Sequence, residues 1–140
     1  MIIEKLKYED LSSYKNLIDE CFNGSNDLIE YQQNYSNNTS YEIIVAKVDD
    51  TIVGSITFIK LDLFTFSFQP MLEIFNVSVL EEYRGKKIAK QIFEYIIGYA
   101  KENNYKSIVL TCLDTAHDAH RLYESVGFTR TSSIKYKLDI

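Results

Sequence analysis

The sequence predicts one mixed α/β domain over residues 1–140: a mostly antiparallel central sheet of about six to seven strands with helices on both faces. Three observations predict it. A chain of 140 residues with 46% apolar content can build one full core without staples, because a domain of roughly 150 residues buries about 70% of its unfolded surface. Ile88, Ala89, Ile92, Phe93, Ile96, Ile97 and Ala100 form the longest apolar stripe at helical spacing. Shorter apolar runs, bounded by turn residues, surround that stripe in the order β-α-α-β-β-β-α-β-α-β-β. Only the second half contains strand, helix and strand in succession, which implies one parallel pair, whereas hairpins elsewhere imply antiparallel pairs.

Each element has a local reason. Ile2 to Leu6 alternates as a short strand. Leu11, Tyr14, Leu17, Ile18, Cys21 and Phe22 share a helical face, and Gly24 follows as a C-terminal cap. Ser25 or Asn26 is placed to cap a short second helix that carries Leu28 and Ile29. The polar window Asn34 to Ser40 reads as a loop. Tyr41 to Val48 and Ile52 to Leu61 form a hairpin across the turn signal Asp49-Asp50-Thr51. Phe64 to Phe68 either extends that strand or lines a loop. Met71 to Val79 is the next strand, and the long helix follows. Ile108 to Leu113 reads as a buried strand, Ala116 to Val126 as a helix ending at Gly127, and Phe128 to Thr131 and Ile134 to Leu138 as two final strands.

Charge and cysteines narrow the function. Lys and Arg total 15 against 20 Asp and Glu, a net charge of −5. Nucleic-acid affinity comes mainly from neutralising phosphates, so this balance argues against that partner and mildly favours a cationic one. Cys21 and Cys112 form no CxxC pattern, which argues against a disulfide framework or a structural zinc. Met1 to Glu9 lacks the apolar length of a signal peptide, and no run reaches the ~18 apolar residues of a membrane span. A cytoplasmic protein with no membrane partner is the expectation.

The chemistry concentrates where the Met71 to Val79 strand runs through Leu80-Glu81-Glu82-Tyr83-Arg84-Gly85-Lys86-Lys87 into the long helix. The first N–H groups of a helix have no intrahelical acceptor, and its dipole is positive there. Gly85 allows close backbone approach, and Arg84, Lys86 and Lys87 add charge, so a pyrophosphate would fit. A solvated basic turn would look the same by spacing alone.

Arg84-Gly85-Lys86-Lys87-Ile88-Ala89 resembles the acetyl-CoA pyrophosphate loop of the GCN5-related N-acetyltransferases, with Arg84 at the first motif position and Ala89 at the last. Lys87 replaces the usual second glycine, at a cost of about 1–2 kcal/mol if its backbone is left-handed. Ala119-His120-Arg121-Leu122-Tyr123-Glu124-Ser125-Val126-Gly127-Phe128 is similar to the family's later segment ending Tyr-Glu-x-x-Gly-Phe. The element order fits nearly end to end.

The resemblance implies two central parallel strands that splay apart, with pantetheine entering the wedge like an extra strand. Backbone around Val77, Ser78 and Val79 would bond its amides, and Arg84, Gly85, Lys86, Lys87, Ile88 and Ala89 would hold the pyrophosphate. Acetyl-CoA is then the cosubstrate, no metal is needed, and an amine attacks the thioester directly in a ternary complex. The acceptor would be a small-molecule or peptide primary amine, and a homodimer is compatible with the family. An alkyl amine has a pKa near ~10.4, so only about one in 10³ is neutral at pH 7 and deprotonation matters. Glu73 matches the position of a general base in histone-acetylating members; otherwise it is a solvent-facing or lysine-paired strand residue. Tyr123 matches the proton donor to the leaving thiolate, with core packing as its other role. The early-helix Asn that bonds pantetheine in many members is here Ala116.

Three other arrangements compete. Cys112, Asp114 and His117 suggest a thiol nucleophile and a ping-pong route, although a thiol in an apolar strand is usually a small hydrophobe. His117 and His120 share a helical face, but two ligands make a poor zinc site. Phe64, Phe66, Phe68, Tyr31 and Tyr35 either line the acceptor cleft or pack the core. A CoA-binding regulatory module with little turnover is the remaining alternative.

Overall fold

A computed structural model describes residues 1–37, 40–64 and 69–140. The elements run β1 (Ile2–Lys5), α1 (Leu11–Phe22), α2 (Leu28–Asn34), β2 (Tyr41–Val48), β3 (Thr51–Leu61), β4 (Met71–Val79), α3 (Ile88–Glu102), β5 (Ser107–Val109) and α4 (His117–Ser125). The sheet order is β1-β2-β3-β4-β5, antiparallel except for the parallel β4–β5 pair. The expected mixed sheet therefore forms, with five strands among the described residues rather than six or seven.

Alternation along the strands builds two cores. Ile44, Ala46, Ile56, Phe58, Leu72 and Ile74 point to one face, where α3 lays Ile88, Ile92, Phe93, Ile96 and Ala100 on them. Val45 and Ile52 point to the other face, under Leu11, Tyr14 and Leu17 of α1. Burying each such aliphatic or aromatic side chain stabilises by roughly 1.5–3 kcal/mol before entropy is counted. Gly54 of β3 sets how closely α3 can dock. A Cβ there would lie 2.8 Å from Ile88 Cγ2 and 3.3 Å from the Ser78 carbonyl oxygen.

The turns are satisfied locally, in two cases by residues other than those expected. Asn23, not Gly24, takes the left-handed position after α1 (φ 49°), and the Gly24 N–H donates to the Asp19 carbonyl at 3.1 Å. Asp27, rather than Ser25 or Asn26, caps α2 by accepting from the Ile29 N–H at 2.9 Å. Asn26 instead donates to Asp19 Oδ1 through both its backbone and its side chain. Asp49 and Asp50 both have positive φ, as a two-residue hairpin turn requires.

The C-terminal expectations fail. β5 stops at Val109, and residues 128–140 form no strand, leaving Ile134, Tyr136 and Leu138 between 77% and 89% exposed. Ile134, Tyr136 and Leu138 do alternate with Lys135 and Lys137, but alternation specifies a face and not a partner. Strand structure requires a neighbour supplying ladder bonds, and among the described residues no strand pairs with the tail. Phe66 and Phe68 lie outside the described residues; Phe64 is exposed.

Candidate active site

β4 and β5 pair only at Met71↔Ser107, Leu72↔Ile108 and Glu73↔Val109, while β4 continues to Val79. Beyond Glu73 the two strands part. β4 also carries a bulge: Phe75 pairs with Thr57 and Ser78 with Ser55, so Asn76 and Val77 face no β3 residue in the register. Asn76 takes φ 55°, a left-handed conformation that Asn tolerates better than most residues. Asn76 and Val77 thus stand outside the β3 ladder and line the gap. Ser78 is buried; its hydroxyl lies 3.0 Å from the Ser55 hydroxyl and anchors the far side of the bulge.

The gap is a cavity of about 210 Å³. Ile74 to Val77 form one wall, Leu110 and Thr111 face them, and Phe22, Tyr123 and Lys135 close the rest. Tyr123 is half-buried on α4, packed edge-on against Phe93 (5.7 Å between ring centroids) and Phe128 (6.1 Å). Burial, and secondarily the charge of a Cys112 thiolate, pushes its phenol pKa above the ordinary value. It therefore stays protonated, and able to donate, at neutral pH.

β4 leads into the cationic turn. Arg84 Nε donates to the Val79 carbonyl at 3.2 Å, and Lys86 Nζ sits 5.0 Å above the Tyr83 ring. Gly85 has φ 79°, and a Cβ built on it would meet nothing within 4 Å. The glycine is needed there for conformation, not for room within the protein. Lys87 has φ 62° and ψ 25°, so the motif position that lost its glycine kept its left-handed backbone. The Gln91 N–H bonds the Lys87 carbonyl at 3.1 Å, whereas the N–H groups of Ile88, Ala89 and Lys90 precede the first intrahelical bond. Residues from Val77 to Ala89 consequently present bulge backbone, three cations and helix N–H groups in one continuous run.

The expected site residues do not all meet. Tyr123 and Val77 share the wedge. Glu73 lies one residue before the wall, at the last rung of the β4–β5 ladder, and does not line the cavity. It shares a sheet row and face with Ile59 and Tyr41. Cys112 is exposed and lies beyond β5, which corrects the expectation of a buried strand thiol. The His117 and His120 rings stand 5.9 Å apart, and His120 Nε2 lies 2.8 Å from the Leu113 carbonyl. No group of three metal-ligating side chains occurs among the described residues. No helix among them is long and apolar enough to cross a membrane.

Sequence reasoning did not find Asn76, Phe22, Thr111 or Lys135 as site residues. Asn within a mostly apolar strand was the available signal for the bulge; the others carry no local signature.

The model of the acetyltransferase (GNAT) family matches residues 11–128. Human N-acetyltransferase 8B is 31% identical over 87 residues, covering 62% of this chain and 38% of that one. The chain spans roughly a fifth to a half of the curated relatives it matches. Among solved structures, the ribosomal-protein-alanine N-acetyltransferase of Brucella melitensis biovar Abortus 2308 superposes with a TM-score of 0.84 at 21% identity, over 100% of both chains. AAC(6')-Iy, solved with a bisubstrate analog of CoA and acetylneamine, superposes with a TM-score of 0.83 at 12% identity, over 99% of this chain and 97% of that one.

Proposed function

The chain belongs to the acetyltransferase (GNAT) family, and from that premise we propose that it transfers acetyl from acetyl-CoA directly to a primary amine in a ternary complex. The observation that carries this reading is the junction of a bulged, splayed β4 with the left-handed turn at Gly85 and Lys87. The cosubstrate's chemistry fits the donors present. Its diphosphate suits Arg84, Lys86, Lys87 and the first N–H groups of α3, with space above Gly85 where a Cβ would touch nothing. Pantetheine amides suit the backbone of Val77, Ser78 and Val79, which the bulge removes in part from the β3 ladder.

The reaction then balances simply. A cationic amine loses one proton, and its nitrogen forms a C–N bond to the thioester carbonyl. The C–S bond breaks, the sulfur leaves as thiolate and takes a proton, and the new amide nitrogen gives up its second proton. The bulge backbone near Val77 meets the developing oxyanion, and the Tyr123 hydroxyl hydrogen-bonds the departing sulfur. Glu73 takes the first proton through water, since the carboxylate stands beside the wedge rather than in it. Lys135 at the cavity wall favours the neutral form of an amine bound there, because a neighbouring like charge penalises the ammonium.

Isothermal calorimetry with acetyl-CoA and a thiol-release assay over an amine library test the reading. Saturable binding with turnover supports it; saturable binding without turnover on any amine favours a CoA-binding module. A second reading follows from the exposure of Cys112 beside Tyr123: acetyl passes through the thiol. A covalent acetyl-enzyme lost on Cys112→Ala would establish that route, and full activity of the variant would dismiss it.

A further inference from the structure

A larger cavity, of about 550 Å³, lies away from the wedge on the α1 and α2 face of the sheet. That volume is within the usual range for small-molecule sites, and its walls are of the usual kind, with aromatic rings and a few polar groups. Tyr14, Tyr31, Tyr35 and Tyr41 line it. Tyr14 and Tyr31 stand 6.1 Å apart, and Tyr35 is fixed by its hydroxyl donating to the Leu6 carbonyl at 2.8 Å. The one lysine at its edge, Lys5, is held by Glu42 at 3.0 Å. Glu30 also lines it and appears in no described ion pair. Tyrosine faces carry negative potential, and with Glu30 they suit an organic cation. Burial first, then the nearby Asp19 and Glu30 carboxylates, raise the Tyr31 phenol above its ordinary pKa.

The strand register connects this cavity to the wedge. Ile43, Thr57 and Phe75 form one row on this face, and Tyr41, Ile59 and Glu73 form the next. Ile43 and Tyr41 line the tyrosine cavity; Phe75 lines the wedge. The two cavities are therefore two strands apart, about 9–10 Å, on one face. Glu73 lies at the β4 end of the second row, next to Phe75 on the same face.

We infer that the tyrosine cavity is a second subsite holding a distal ammonium of the acceptor, so that the chain prefers long α,ω-diamines or polyamines to monoamines. This inference rests on the acetyl-transfer reading. The test compares kcat/KM for butane-, hexane-, octane- and decane-α,ω-diamines with the n-alkylamines of equal length. The diamine-to-monoamine ratio should rise with length to about tenfold or more, an effect of the size one cation–aromatic contact supplies. Glu30→Gln and Tyr31→Leu should each pull that ratio toward one, while Tyr31→Phe, which keeps the ring, should preserve it. A ratio at or below one for every length, or one that both Glu30→Gln and Tyr31→Leu leave intact, overturns the inference. If no amine is acetylated, the acetyl-transfer reading fails on its own, and the subsite is judged by calorimetry of decane-α,ω-diamine against the acetyl-CoA-loaded protein. Binding weakened by Glu30→Gln supports the subsite, and absence of binding, or binding that Glu30→Gln leaves unchanged, overturns it.

Discussion

On one wall of the wedge, β4 is laddered to β3 on both sides of its bulge and buries Leu72 and Ile74 against α3. On the other wall, β5 pairs for three residues and α4 has no fully buried residue, only Leu122 and Tyr123 packed partly against the core, with Val126 just after the helix. A ligand between them is gripped by one firm surface and one lightly held surface. Local opening free energies follow buried contacts, so the α4 wall is where ligand binding has most order to add.

The largest effect should come from weakening the firm wall. Leu72 is fully buried, and Leu72→Ala should lower unfolding free energy by about 2–5 kcal/mol in urea titrations. A loss near zero would mean that β4 is not the fixed wall. Next is chemistry at the loose wall: Tyr123→Phe should lower kcat by about 10²-fold with much less change in acetyl-CoA affinity. Its ring contacts with Phe93 and Phe128 survive that substitution, so an unchanged kcat would reduce Tyr123 to a packing residue. Smaller again is the turn. Lys87→Gly relieves a left-handed side chain and should raise stability by about 0.5–1 kcal/mol, net of the entropy glycine adds to the unfolded chain, while weakening acetyl-CoA binding through the lost cation. Similar in size to the turn is Leu122→Ala, a loss of about 1 kcal/mol for a half-buried leucine, read in the same urea titrations. Hydrogen exchange sharpens the same contrast: α4 amides should exchange faster than those of β3, and acetyl-CoA should slow α4 more.

What the sequence made legible was whatever depends on neighbours along the chain. The stripe from Ile88 to Ala100 became α3 with five of its residues buried, because helical spacing alone puts them on one face. The hairpin at Asp49-Asp50 and the turn at Gly85 were readable for the same reason. The wedge was not, because it depends on how strands register. Only the Asn itself hints that residue 76 has left the β3 ladder, and nothing local shows that Glu73 still pairs with Val109. Phe22 reads as the core end of an amphipathic helix, yet it is 49% exposed and lines the cavity. Lys135 reads as a polar residue of a strand that does not form. Tyr14, Tyr31 and Tyr41 converge only once α1, α2 and β2 are stacked.

The extra residue of β4 also changes which side chains share a side. Before it, odd-numbered residues such as Glu73 and Phe75 lie over Ile59 and Thr57; after it, even-numbered Ser78 lies over Ser55. Losing one residue at Asn76 would leave Val77 opposite Ile56 and keep Ser78 over Ser55, with every downstream side chain on its present face. Removing Asn76 would not trim a loop. It would straighten the strand, re-form the missing rungs with β3 and remove the bulge backbone to which the proposed pantetheine contacts are assigned.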